Sequence, residues 1–293
     1  MRTILNKFVA YMAEYGVFNW MPDKPYLKLM FWARMGRRLN LDKPRTFNEK
    51  LQWLKLNDRK TVYTQLVDKY EAKKYMEQVI GSDYVIPTIG VWESFDEIDF
   101  EQLPERFVLK CTHDSGGLVI CNDKRKLDIQ CAREKINKSL NTNYYFRARE
   151  WPYKDVKPRI IAEEYLESLQ QDGDLLDYKV FCFNSVPKII LVCSERFSND
   201  GLKEDFYDID WKHLNIQRVK HKNSTKLHQR PLNLDKMIEL AKRLSAISPF
   251  LRVDFYELNG KVYCGELTFF PASGFEGFRP EHIDDELGKY LYL

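Results

Sequence analysis

The sequence has no pair of closely spaced cysteines. Cys111, Cys121, Cys131, Cys182, Cys193 and Cys264 stand singly, and none forms a CxxC pair or any other spacing that matches a zinc ligand set. Most read instead as small buried residues on strands, as expected in a reducing cytoplasm. No uncharged h-region with a small-residue cleavage site opens the chain, and no hydrophobic run is long enough to span a bilayer. The expectation is a cytoplasmic protein. Charge of one sign is also lacking: 46 Lys and Arg face 43 Asp and Glu, a net +3, which gives no strong overall field that would favour nucleic acid or an anionic membrane. Any anion must be captured locally. GxxxxGK is missing, which argues against a P-loop, and no Ser-His-Asp or Cys-His signature appears. His113, His213, His221, His228 and His282 show no pairing that implies catalysis, and His113 reads as a solvated loop histidine. Internal repeats and low-complexity tracts are absent.

What is present suffices for one or two domains: 293 residues, of which 44% are hydrophobic. Residues 1–60 read as a helical, aromatic and basic region broken by Pro22, Pro25 and Pro44, and its helices are candidates for docking on a membrane surface or for core packing. Residues 61–105 read as a helix-strand linker region. Its helix is VYTQLVDKYEAKKYMEQVIG, with Val67, Tyr70 and Lys74 on one face and Gly81 as the stop. Residues 106–166 form a small α+β unit: strand RFVLK, loop CTHDSGG, strand LVIC, a helix over 129–140 and strand RIIAEEYL. Residues 167–293 read as an antiparallel sheet with helices behind it, from DYKVFCFN and KIILVCSE, through a polar excursion around His228, to LRVDFYEL and KVYCGELTF joined at Asn259-Gly260.

Four constellations carry chemistry. In RVDF, Arg252 and Asp254 are two apart on one strand face, and Glu266 follows on the hairpin partner, so two carboxylates can make an oxygen site suited to magnesium. In VLKCTHDSGG, Lys110 ends a strand before adjacent glycines whose amides can approach phosphate. In RIIAEEYLE, acids follow an apolar strand as a hinge able to face an adenine edge. In LLDYKVF, Asp177 and Lys179 share a face and offer a ribose acceptor and a phosphate cation. Taken singly, each also describes a solvated ion pair, a Gly-Gly hairpin or a strand end.

Their order changes that. Lys69 in DKYEAKKYM, Lys110 with SGG, the EEYL hinge, DYK, RVDF and GEL resemble, in sequence and approximate spacing, the nucleotide site of the ATP-grasp superfamily, and within it the TupA-like group of polysaccharide-biosynthesis proteins. The resemblance covers roughly residue 47 to the C-terminus and implies an α+β ATP-grasp fold with a small lid subdomain on an antiparallel-sheet domain. It implies ATP held by Lys69 and Lys110, with Ser115, Gly116 and Gly117 as a closing loop. Glu163 and the Tyr165–Leu166 backbone would hold adenine, Asp177 the ribose, with Lys179 beside it. Magnesium would sit at Asp254 and Glu266, and Arg252 would meet the transferred phosphoryl group. The usual asparagine two residues after the second acid is Thr268 here, a neutral and shorter ligand that bears on a second metal.

The implied reaction is carboxylate-amine ligation through an acyl phosphate, with saccharide or small-molecule substrates and no nucleic-acid partner, on a surface or capsular polysaccharide or its precursor. Three rivals stand beside it: a glycosyltransferase, for which Asp208-Ile209-Asp210 is a DxD string; a sugar kinase; and an inactive ATP-binding module.

Overall fold

The computed structural model describes residues 3–166, 175–196, 198 and 200–293. Helix α1 (Ile4–Glu14) is capped by Thr3 and α2 (Asp23–Met35) is ended by Gly36 at φ 74°; α3 (Phe47–Asn57) starts from a capping box in which Thr46 and Glu49 satisfy each other's backbone amides. The single helix expected over 62–81 is two, α4 (Val62–Val67) and α5 (Lys69–Ile80). Asp68 divides them. Its carboxylate accepts from the Tyr70 and Glu71 amides, starting a new helix, and also pairs with Arg159 at 2.8 Å. Gly81 ends α5 at φ 99°.

The smaller sheet contains β1 (Thr88–Trp92), β2 (Phe107–Cys111), β3 (Leu118–Cys121) and β4 (Ile160–Glu164) in the order β1-β4-β2-β3, all antiparallel. Helix α6 (Ile129–Leu140) packs Ala132 and Ile136 onto Phe107, Leu109 and Ile160. The strand read inside the 61–105 linker is β1, and it pairs with β4, so this sheet draws on residues well before 106. A short helix, α7 (Tyr145–Ala148), lies between α6 and β4.

The larger sheet orders β11-β10-β5-β6-β7-β8, from β5 (Asp177–Phe183), β6 (Val186–Ser194), β7 (Lys203–Asp208), β8 (His213–Leu214), β10 (Phe250–Leu258) and β11 (Lys261–Thr268). A separate ladder joins β9 (Gln217–Arg218) to β12 (Phe278–Arg279). Asn259 and Gly260 both take positive φ, 53° and 75°, in the tight turn between β10 and β11. The region read as a polar excursion contains the buried strand β7. Its charges are concealed because they are paired: Glu204 with Arg218 at 2.9 Å, and Asp205 with the Ser224 amide at 3.1 Å. Helix α8 (Leu234–Leu244) covers one face with Leu234, Met237, Leu240, Ala241 and Leu244, all buried at helical spacing.

Helix α9 (Ile283–Tyr290) returns to α3. The buried Asp284 accepts from the Asn48 amide at 2.9 Å and from Asn48 Nδ2 at 2.8 Å, and an ideal Cβ on Gly288 would lie 2.2 Å from the Arg45 carbonyl. Only glycine permits that approach.

Candidate functional site

The alternation of β5 and β10 places five charged groups on one face. Asp254 lies opposite Lys179 on one side and opposite Glu266 on the other. Arg252 grips Asp254 with two hydrogen bonds of 2.7 Å and donates to Thr268 Oγ1 at 3.0 Å. Lys179 Nζ bridges Asp254 at 2.5 Å and Asp177 at 2.6 Å, and Arg196 completes the row on Asp177 Oδ2 at 3.0 Å. Burial alone would raise the Asp254 pKa, but Arg252 and Lys179 outweigh it and hold the carboxyl below its ordinary range. Burial likewise works against the Lys179 ammonium, yet Asp254 and Asp177 push its pKa up. For Asp177 burial wins, and its pKa is raised. Asp177 Oδ1 is buried without a hydrogen-bond partner, an acceptor left unsatisfied.

Both oxygens of Asp254 are taken by cations, whereas the Glu266 side chain is 38% exposed and its one ion pair among the described residues is with Arg252, at 4.0 Å. Among the described residues no group of three or more His, Cys, Asp or Glu could hold a metal by itself. A cation that arrives with phosphates fits these residues better than a caged one: magnesium takes one or two carboxylates plus phosphate oxygens, and Arg252 and Lys179 can turn from Asp254 to those phosphates. Thr268 is already an acceptor for Arg252, so the neutral ligand in the row has a structural role.

The lysines of β2 and α5 are tied down by partners within the protein. The buried Glu163 carboxylate is held between Lys110 at 2.5 Å and Lys73 at 2.7 Å. Strand β4 lies between β1 and β2 in the four-stranded sheet, and the Glu163 carboxylate at its end anchors both lysines. Tyr165 and Leu166 lie half-buried just past the strand. Lys73 was missed in the sequence, although it follows Lys69 by one helical turn; it also donates to the Ile86 carbonyl at 2.6 Å. Lys69 reaches the loop itself, with Nζ on the Asp114 carbonyl and its amide on Thr112 O at 3.0 Å.

That loop is not uniform. The Gly117 amide is already satisfied by Asp114 Oδ2 at 3.0 Å, and an ideal Cβ there would lie 2.5 Å from Ser139 Oγ and 2.6 Å from Cys111 Sγ. Gly117 is a packing glycine. Ser115 and Gly116 are exposed and remain open to phosphate. His113 is buried rather than solvated, with Nε2 on the Ser139 carbonyl at 3.1 Å.

The loop and the carboxylate row face each other. A small cavity is lined by Lys69, Ala72 and Met76 of α5 and by Gly265 and Glu266 of β11, and Tyr144 connects to Ser115 at 3.2 Å while feeling the Glu266 charge. Beside them lies a buried cluster that the sequence did not reveal. Glu150 accepts from Ser273 Oγ at 2.5 Å and senses both Glu266 and Arg252. Ser273 sits in a turn with Ala272 and Gly274, all at positive φ of 48° to 65°. Gln52 and Lys55 of α3 pin this turn through the Ser273 carbonyl, at 3.1 and 2.8 Å. Burial drives the Lys55 pKa down to about 7, with Glu150 opposing the shift.

The profile of the family described as TupA-like ATP-grasp matches residues 49–292. No curated protein gives a match. Among solved structures the chain is similar to D-alanine–D-alanine ligase from Bacillus anthracis complexed with ATP, at 15% identity over 70% of this chain and 54% of that one with TM-score 0.40. It is also similar to the Helicobacter pylori D-alanine–D-alanine ligase (12% identity, 84% and 69% covered, TM-score 0.44) and to a RimK domain ATP-grasp protein from Sphaerobacter thermophilus (12% identity, 80% and 70% covered, TM-score 0.42). The chain spans little more than half the length of the B. anthracis ligases. The family match runs through every strand that carries the candidate site, from α3 into α9, and the chain belongs to the TupA-like ATP-grasp family.

Proposed function

We propose that the protein binds ATP with magnesium between its two sheets and uses them to join a carboxylate to an amine through an acyl phosphate, on a surface or capsular polysaccharide or its precursor. The observation that carries this reading is the single face on which Asp177, Lys179, Arg252, Asp254 and Glu266 alternate in charge. On this reading the unpartnered Asp177 Oδ1 accepts from the ribose hydroxyls once side chains around it give way. Lys69, Lys110 and the exposed Ser115–Gly116 segment meet the phosphates, and Tyr165–Leu166 offers backbone to adenine. Asp254 and Glu266 would hold magnesium, which supplies charge neutralisation at the phosphates.

In the first step a carboxylate oxygen attacks the γ-phosphorus and the bond to ADP breaks; in the second an amine lone pair attacks the acyl carbon and phosphate leaves. Arg252 and Lys179 stay charged and need only turn toward the transferring phosphoryl group, so positioning and electrostatics supply most of the acceleration. The DxD string gives a glycosyltransferase little support, because the Asp208 carboxylate caps its own turn, accepting from the Asp210 and Lys212 amides at 3.0 and 2.8 Å.

The test is magnesium-dependent ADP release over a panel of amino acids and uronic acids, with hydroxylamine as the competing amine. A hydroxamate that forms only with ATP supports the ligase. A phosphorylated hydroxyl without hydroxamate makes the protein a kinase, and nucleotide binding without ADP makes it an inactive module.

A further inference from the structure

Helix α1 is apolar on the side that faces away from the protein. Asn6 and Ala13, seven residues apart, are its buried positions, and Asn6 Nδ2 donates to the Trp32 carbonyl of α2 at 3.0 Å. At about 3.6 residues per turn, Ile4, Phe8, Tyr11 and Tyr15 lie on the opposite face. All four are more than half exposed, Ile4 at 89%, and Leu5 and Trp20 are exposed with them, Trp20 at 77%. A water-facing helix ordinarily carries polar residues there; an apolar outer face on an otherwise packed helix marks a contact surface.

Charge says what the surface meets. Residues 1–45 hold nine Lys and Arg against three Asp and Glu, whereas the rest of the chain holds 37 against 40. Of those acids, Asp23 is consumed by Arg59 and Arg149. Lys7 of α1 and Lys24 and Lys28 of α2 are exposed and make no ion pair among the described residues. Aromatic side chains flanked by unpaired lysines match the headgroup region of a bilayer, where amphipathic rings and cations are both favoured. No helix among the described residues is long and apolar enough to cross a membrane, so the contact is peripheral. These helices also lie outside the stretch matched by the family profile.

We infer that α1 docks the protein on an anionic phospholipid surface, its Ile4-Phe8-Tyr11-Tyr15 face entering the headgroup layer and Lys7, Lys24 and Lys28 meeting phosphates. The inference stands apart from the ligase reading, since none of these residues touches the nucleotide site.

The experiment is co-sedimentation of the full chain with phosphatidylcholine vesicles with and without phosphatidylglycerol, at low and high salt. Binding at least ~10-fold stronger to the anionic vesicles, weakened by salt, is expected. F8S/Y15S, which changes exposed side chains only, should lose that binding while ATP binding stays unchanged. Wild-type protein that ignores anionic vesicles overturns the inference, as does F8S/Y15S binding them equally well. A dimer dispersed by F8S/Y15S, without vesicle binding, overturns it in favour of a second copy.

Discussion

Asp254 and Glu266 stand opposite each other across the β10–β11 ladder, yet only Asp254 is neutralised by its surroundings. Two carboxylates with one proposed job therefore differ in what they do for the fold. Glu266→Gln should change stability by less than ~0.5 kcal/mol, because its side chain is partly in solvent and loosely paired. Asp254→Asn strands Arg252 and Lys179 without their shared anion and should cost about 3–5 kcal/mol. Magnesium-dependent ADP release should fall at least ~100-fold in both. Thermal unfolding alongside turnover checks the contrast, and a fully active variant removes that residue from the metal site.

Lys110 and Lys73 share Glu163 but differ in exposure, 22% against 8% of the side chain. Lys110→Met leaves Glu163 one partner and should cost roughly 1–3 kcal/mol, with ATP affinity reduced at least ~10-fold. Lys73→Met also leaves the Ile86 carbonyl unpaired and should destabilise more while affecting ATP less. Denaturant midpoints and ATP titration calorimetry on both variants separate the anchoring lysine from the ligand.

In the loop, amide hydrogen exchange should report two behaviours. Gly117, bonded to Asp114, should be protected with or without nucleotide; Ser115 and Gly116 should gain protection only when ATP binds. Gly117→Ala should be destabilising by the clash with Ser139 and Cys111, and Gly116→Ala should not. Identical exchange at Ser115 and Gly116 in both states would argue against closure.

Lys55 makes stability depend on pH. Its folded pKa is lowered from 10.5 to about 7, so between these values the unfolded chain binds the extra proton and ΔG of unfolding rises with pH. The contribution is complete above about 10.5 and is lost as pH falls through about 7. Urea midpoints at pH 7 and pH 9.5 should show the rise in wild type and a smaller one in Lys55→Met.

Most strands were legible because their alternation is undisturbed, as in RVDF with its Asn-Gly turn, and the order of charged residues marked the row on β5 and β10. Three features were hidden, each by a contact from elsewhere in the chain. Strand β7 begins Lys203-Glu204-Asp205, which reads as solvated until Arg218 and Ser224 pair with it. Asp68 looks like a helix-surface acid until Arg159 and two amides recruit it as a cap. Glu150 follows Arg149 in a stretch that carries no site motif, and the turn at Ser273, more than a hundred residues later, brings it beside the site.

The packing of Gly288 and Asp284 against α3 bears on how the chain is made. Asn48 leaves the ribosome 236 residues before the carboxylate that completes its hydrogen bonds, and Gln52 waits nearly as long for the turn at Ser273. Until those residues are made, α3 lacks the hydrogen-bond partners that complete its polar contacts, although Phe47 can already meet Phe181 and Phe183. Because α3 also pins the turn beside Glu150 through Gln52 and Lys55, a nascent chain cannot assemble that part of the site before the Ser273 turn has been made.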